Sequence, residues 1–285
     1  MKNKSLIEIH TAVLFFGLAG LFGKLILLPA LIIVLGRVIF ATIFLALLSL
    51  YLKQNIKLNP KKDYFYLFLL GIILALHWWT FFQSIQVSTV AVGLLTYSTF
   101  PIFVTFLEPY FFKEKIKPSA IYLALITFLG VILVVPRFEI ANNITQGVLW
   151  GMASGLTFAV LSVLNRKYVK KYSSLVIAFY QDSAAAIVLV PFLFLMEFTI
   201  TFKDILLLIL LGVCFTAIAH TLFIKGLTNV KAQTASIIAC LEPVYGIVMA
   251  SFILGEIPGL RIISGGMLIL SATFYATIKH KSSFL

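Results

Sequence analysis

Apolar residues in this chain run in blocks of about twenty, separated by short clusters of Lys, Asn, Pro and Gly. The blocks show neither the alternation of a half-buried strand nor the narrow stripe of a water-soluble helix, so they read as helices apolar on every side. The breaks predict ten spans, at residues 6–24, 30–52, 64–84, 88–108, 118–136, 146–165, 174–196, 205–225, 232–254 and 258–278. A hydrocarbon core of about 30 Å takes roughly 20 residues at about 1.5 Å each. The 285 residues therefore accommodate ten crossings with short loops and no separate soluble domain.

Composition fits that reading. The chain is 61% hydrophobic and 11% charged, with a mean hydropathy of +1.09. A water-soluble domain cannot cover its surface with so few charges, so lipid is the solvent. A net charge of +12 would suggest a nucleic-acid partner in a soluble protein, but here the basic residues alternate between loops. With the N-terminus inside, seventeen of the 22 lie in inner segments. Lys24, Arg137, Lys203 and Arg261 fall outside, and Arg37 lies within a span. The positive-inside bias places both termini in the cytoplasm, implies an even number of spans, and leaves the lipid bilayer rather than nucleic acid as the partner.

Lysine outnumbers arginine 18 to 4, a bias that suits an AT-rich genome and a bacterial plasma membrane. Lys2 and Lys4 precede the first block without a small-residue cleavage site, so that block reads as a retained helix. Cys214 and Cys240 lie inside apolar runs without metal or redox spacing, so no disulfide, metal or other cofactor is expected.

An internal register of 142 residues, half the chain, emerges on self-comparison. It pairs Phe16 with Phe158, Lys24 with Arg166, Ala75 with Ala217, Phe81 with Phe223, Pro101 with Pro243 and Glu114 with Glu256. The halves are residues 1–142 and 143–285, five spans each. Because five is odd, the second copy enters the membrane from the opposite side. The predicted fold is an all-α membrane protein of ten transmembrane helices in two inverted five-helix repeats, the plan of many secondary transporters.

The same residues carry a family resemblance. Phe16, Gly17 and Lys24 match a first-helix pattern, with Phe where Trp is usual, and Phe158, Ala159, Arg166 and Lys167 match its sixth-helix counterpart. Pro101 and Glu114 match the fourth helix, with Lys113 where the family has Gly, and Glu242, Pro243, Gly255 and Glu256 match the ninth. Over essentially its whole length the chain resembles the drug/metabolite transporter superfamily, in its ten-helix EamA-type branch. The resemblance implies export or exchange of amino acids and other small metabolites through a central cavity formed by both halves.

Ionisable residues at membrane depth are costly and should face a cavity or a partner. Arg37, Asp182 and Glu242 lie in spans 2, 7 and 9, and His77 and His220 in spans 3 and 8. By helical rise Asp182 lies roughly 13 Å and Glu242 roughly 16 Å from the inner edge, and Arg37 roughly 12 Å from the outer edge. Such charges can hold the two ends of a zwitterion or neutralise one another, with Arg37 bridging Asp182. Glu242 could also serve the backbone that Pro243 disrupts.

His77, Trp78, Gln83 and Tyr97 offer an aromatic wall, or simple packing; Gln181 stands beside Asp182. The candidate substrate-binding set is Arg37, His77, Trp78, Gln83, Tyr97, Gln181, Asp182 and Glu242. Asp182, Glu242 and His220 are candidates for proton coupling. Pro101 and Pro243 are expected hinges, with Pro191 a hinge or a static kink. Glu114 and Glu256 are helix-end carboxylates expected to bind the N-terminus of a neighbouring helix.

Gly147, Gly151 and Gly155 form a small-residue stripe for packing within the monomer or, alternatively, in a weak homodimer. No catalytic motif is present, so the expected protein is a carrier of a small-molecule substrate and not an enzyme. The alternatives are an intramembrane enzyme using His77, His220 and Asp182, or a passive channel.

Overall fold

The computed structural model describes residues 2–113, 118–134, 139 and 141–281. The helices in chain order are α1 (Asn3–Leu25), α2 (Ala30–Tyr51), α3 (Lys62–Val87), α4 (Val90–Phe112), α5 (Pro118–Val134) and α6 (Asn143–Tyr168). They continue with α7 (Ser174–Leu195), α8 (Phe202–Gly226), α9 (Ala232–Ala239), α10 (Glu242–Ile253) and α11 (Leu260–Lys281). Seven of them, α1 to α4 and α6 to α8, are long and apolar enough to cross a membrane. Shorter apolar stretches lie at Ala124–Val134, Glu242–Ile253 and Leu260–Ala272. The protein is therefore a multi-pass membrane protein, and no strand occurs among the described residues.

Its polarity is that of a protein dissolved in lipid. Leu50, Phe194, Phe252 and Leu260 are largely exposed, while Arg37, Glu108, Gln181, Asp182 and Glu242 are buried. Hydrocarbon can solvate the first group, whereas the second needs partners inside the bundle.

Interruptions fall where the chemistry demands them. The predicted span 232–254 is divided into α9 and α10 by a turn at Cys240–Leu241, and α4 breaks at Ser98–Thr99. Pro243 and Pro101 follow in the first turn of the next helical piece, where a missing N–H costs no intrahelical bond. α7 ends its main run at Leu189, ahead of Pro191. Inside α8, Val213–Ile218 winds as a π-helix.

Close crossings hold the centre together. α3 packs on α6 and α7, α1 on α8 and α10, α2 on α7 and α8, and α4 on α6. A methyl group on Gly17 would stand 2.7 Å from the Glu242 carbonyl, and one on Gly246 would stand 2.6 Å from the Gly17 carbonyl. α1 and α10 therefore touch backbone to backbone. The glycine stripe of α6 also packs closely within this chain: Gly151 faces the Thr96 side chain and Gly155 the Tyr97 carbonyl.

Candidate functional site

Leu74, His77, Trp78 and Phe81 recur at helical spacing and form one face of α3. Opposite them stand Phe16 and Ala19 of α1, Arg37 of α2, Tyr97 of α4, Phe158 of α6, His220 of α8 and Glu242 of α10. Together they enclose a central cavity of about 30 Å³. That volume takes one or two water molecules and no metabolite, so the centre is constricted. Tyr97 ends the first piece of α4 and Glu242 opens α10, so both helix breaks border the cavity.

Aromatic rings make most of the wall. Phe158 lies edge-on to Phe16, Phe100 and Tyr97, with centroids 6.3, 5.0 and 5.5 Å away. Tyr97 reaches Glu242 Oε1 with its hydroxyl at 3.5 Å, a long and weak contact for a buried carboxylate. His77 Nδ1 sits 3.0 Å from both the carbonyl and the hydroxyl of Ser154 on α6. The same ring thus clips α3 to α6 and lines the cavity.

Arg37 is 1% exposed. Its Nε donates to Thr216 Oγ1 at 2.8 Å and a terminal nitrogen donates to the Phe215 carbonyl at 3.2 Å, both in the π-helical stretch of α8. The guanidinium also stacks 4.0 Å from the Trp78 ring centroid. Among the described residues it makes no salt bridge to Asp182; the expected partner is instead near His220, whose Nδ1 lies 3.8 Å from Asp182 Oδ1.

The candidates therefore divide. Arg37, His77, Trp78, Tyr97, His220 and Glu242 share the cavity wall. Gln181 lies outside it and exchanges hydrogen bonds with Asn165 of α6, Nε2 donating at 2.6 Å. Asp182 is buried behind His220, and Gln83 does not contribute to the wall.

The ends of the bundle hold two ion-and-amide clasps. Glu256 accepts the Val90 amide at the start of α4 at 2.9 Å, and nearby Lys24 donates to the Ser88 carbonyl at 2.8 Å. At the start of α9, Glu108 accepts the amides of Ala232 and Gln233, each at 3.2 Å, and pairs with Arg166. Glu114 lies outside the described residues. Glu108 went unnoticed in the sequence, yet it sits in a Glu108–Pro109 dipeptide of the same kind as Glu242–Pro243. Lys113 and Gly255 both adopt left-handed backbone, at φ 56° and 68°.

A wider groove of about 580 Å³ opens where the start of α3 meets the ends of α4 and α6, lined by Lys62, Lys167 and Lys171 above Tyr66 and Leu69. There the hydrogen bond from Lys171 to Asp63 holds the ammonium above its ordinary range.

Comparisons with known proteins are consistent in kind. The model of the EamA-like transporter family matches residues 4–135 and again 145–278. An uncharacterized transporter of Bacillus subtilis is 24% identical over 98% of this chain and 91% of its own length. An S-adenosylmethionine uptake transporter of Rickettsia bellii is 26% identical over 72% of this chain and 69% of its own length. A crystal structure with 18% identity superposes over 99% of both chains with a TM-score of 0.72, which shows a shared fold.

Proposed function

Because the chain belongs to the EamA-like transporter family, and is thus a membrane transporter of small molecules and not an enzyme, we propose that it is a secondary carrier for a zwitterionic metabolite of the amino-acid class. The cavity wall carries this reading: a guanidinium from Arg37 and a carboxylate from Glu242 border one narrow, aromatic-lined space. Opposite charges suit the two ends of a zwitterion. The faces of Trp78, Phe81 and Phe158 suit an apolar or cationic side chain. S-adenosylmethionine, named for the Rickettsia relatives, joins an amino acid to a sulfonium cation and is a compound of this kind.

The transport cycle is alternating access between two inverted halves, residues 1–142 and 143–285, crossing the bacterial plasma membrane ten times with both termini inside. Several facts support the inverted halves. The helix breaks at 98–99 and 240–241, the left-handed Lys113 and Gly255, and the capped amides of Val90 and Ala232 all differ by 142 residues. Pro101 and Pro243 serve as hinges beside the cavity. Export or exchange is the mode we assign. A constricted, mainly aromatic centre suits a carrier, whereas a passive channel would need a continuous polar path.

Thermal unfolding of purified protein against amino acids, S-adenosylmethionine, nucleosides and quaternary amines tests the substrate class. A zwitterion at 100-fold its Kd should stabilise the fold by about 2.7 kcal/mol, and Glu242→Gln or Arg37→Gln should remove most of that shift. Stabilisation by nucleosides or simple quaternary amines, with none from any zwitterion, would overturn the reading.

A further inference from the structure

Both carboxylate oxygens of Asp182 are fully buried in α7 and have no hydrogen-bond donor among the described residues. His220 Nδ1 on α8 is also buried and also lacks a partner there. The two groups face each other at 3.8 Å, just beyond hydrogen-bond reach. Buried polar atoms are nearly always paired, so three unpaired atoms in one contact at membrane depth need a reason.

The neighbouring cation does not supply the pairing. Two of the five Arg37 donors go to Thr216 and to the Phe215 carbonyl in the π-helical stretch, and none reaches the Asp182 oxygens. α7 packs against α2, α3 and α8. From α2 comes Arg37, from α3 His77 and from α8 His220; His77 is held by Ser154 on its Nδ1 side. Glu242 is the remaining titratable group of the cavity wall with a carboxyl, and its contact is Tyr97. No donor from these elements reaches Asp182 in this conformation.

We propose that Asp182 and His220 form a proton-binding site coupled to the central cavity. With a proton on the Asp182 carboxyl, the group is neutral and tolerates its missing donors. His220 belongs to the cavity wall and Asp182 lies behind it, so the imidazole stands between the carboxyl and the cavity. Its Nδ1 takes the carboxyl proton as Nε2 gives one up to the cavity, which balances the transfer. The ionised Asp182 is left facing His220 and Arg37, and the guanidinium turns from the Phe215 carbonyl to the new anion. That exchange of partners releases the π-helical stretch of α8 against α2. Proton release is thereby tied to a movement of the cavity wall.

Infrared difference spectroscopy between about pH 5 and about pH 9 reads the proton directly, without any substrate. Wild type should show the carbonyl stretch of a protonated carboxylic acid, disappearing at high pH. Asp182→Asn, nearly isosteric, should lack the band; Glu242→Gln should keep it; and His220→Gln should shift its titration midpoint. The same band in Asp182→Asn would overturn the site. Should Asp182→Asn fail to fold, an unmoved midpoint in His220→Gln would overturn it instead.

A second measurement rests on the carrier reading. In proteoliposomes with S-adenosylmethionine as probe, a gradient of about one pH unit should change its steady distribution by up to about tenfold in wild type. Asp182→Asn should lose that response. Saturable exchange of the probe with no response to the gradient would overturn the coupling and leave the carrier reading standing, while absence of flux, for this probe and for every zwitterion that shifts thermal unfolding, with an intact Asp182 band would overturn the carrier reading and leave only the proton site.

Discussion

Removing the Glu108 carboxylate should destabilise the protein more than removing Glu256, although both cap a helix N-terminus. Glu108 is 1% exposed and holds the amides of Ala232 and Gln233 together with the Arg166 guanidinium. Glu108→Ala leaves two amides without acceptors, at about 1 kcal/mol each, and strands a cation whose charged hydrogen bond contributes about 1.5–3 kcal/mol. The sum is about 3.5–5 kcal/mol, in the range found when one partner of a buried pair is deleted. Glu256 is half-buried and holds the Val90 amide alone, so Glu256→Ala should cost about 0.5–2 kcal/mol. Arg166→Leu added to Glu108→Ala should restore about 1–3 kcal/mol, because the stranded charge is gone. Equilibrium unfolding in mixed micelles measures all four proteins. If Glu108→Ala came within about 1 kcal/mol of wild type, or below Glu256→Ala, the clasp at α9 would not hold the helix as described.

Other perturbations follow from the same contacts. Lys113→Gly should stabilise the protein by about 1 kcal/mol in thermal unfolding, since Lys113 occupies left-handed backbone at φ 56°, a conformation that Gly255 adopts at φ 68° without a side chain to strain it. Gly17→Ala should lower stability by about 1–3 kcal/mol, because the added methyl meets the rigid Glu242 carbonyl at 2.7 Å, while Gly259→Ala, with open space around it, should stay within about 0.5 kcal/mol. Arg37→Lys keeps the charge but loses the bonds to Thr216 and Phe215, and should cost about 1.5–3 kcal/mol in the same unfolding assay.

The membrane-spanning character of the protein was legible because lipid imposes one coarse rule on long segments: they must be apolar throughout. Uniform apolarity, however, hides which side of each helix faces inward, so the partners of buried polar groups had to come from the structure. Arg37 illustrates this. Charge offered a substrate or a carboxylate such as Asp182 as its partner, but Arg37 donates into the π-helical stretch of α8, and local backbone geometry of that kind leaves no mark in composition. Gln181 likewise stands next to Asp182 in sequence, yet α7 turns it toward Asn165. His77, Trp78, Tyr97 and Glu242 were readable as a group because each adjoins a break or an aromatic run that a packed apolar helix does not need. Glu108 was missed because it lies at the end of a span, where a carboxylate reads as interfacial; its neighbour Pro109 was the available signal.

Counterflow in proteoliposomes tests the carrier most directly. Vesicles loaded with unlabelled S-adenosylmethionine and diluted into a trace of the labelled compound should accumulate label transiently above equilibrium, with saturable initial rates and loss of the overshoot in Glu242→Gln. Flux that rises linearly with concentration and never overshoots, for this compound and for every zwitterion that shifts thermal unfolding, would contradict alternating access at the Arg37–Glu242 cavity.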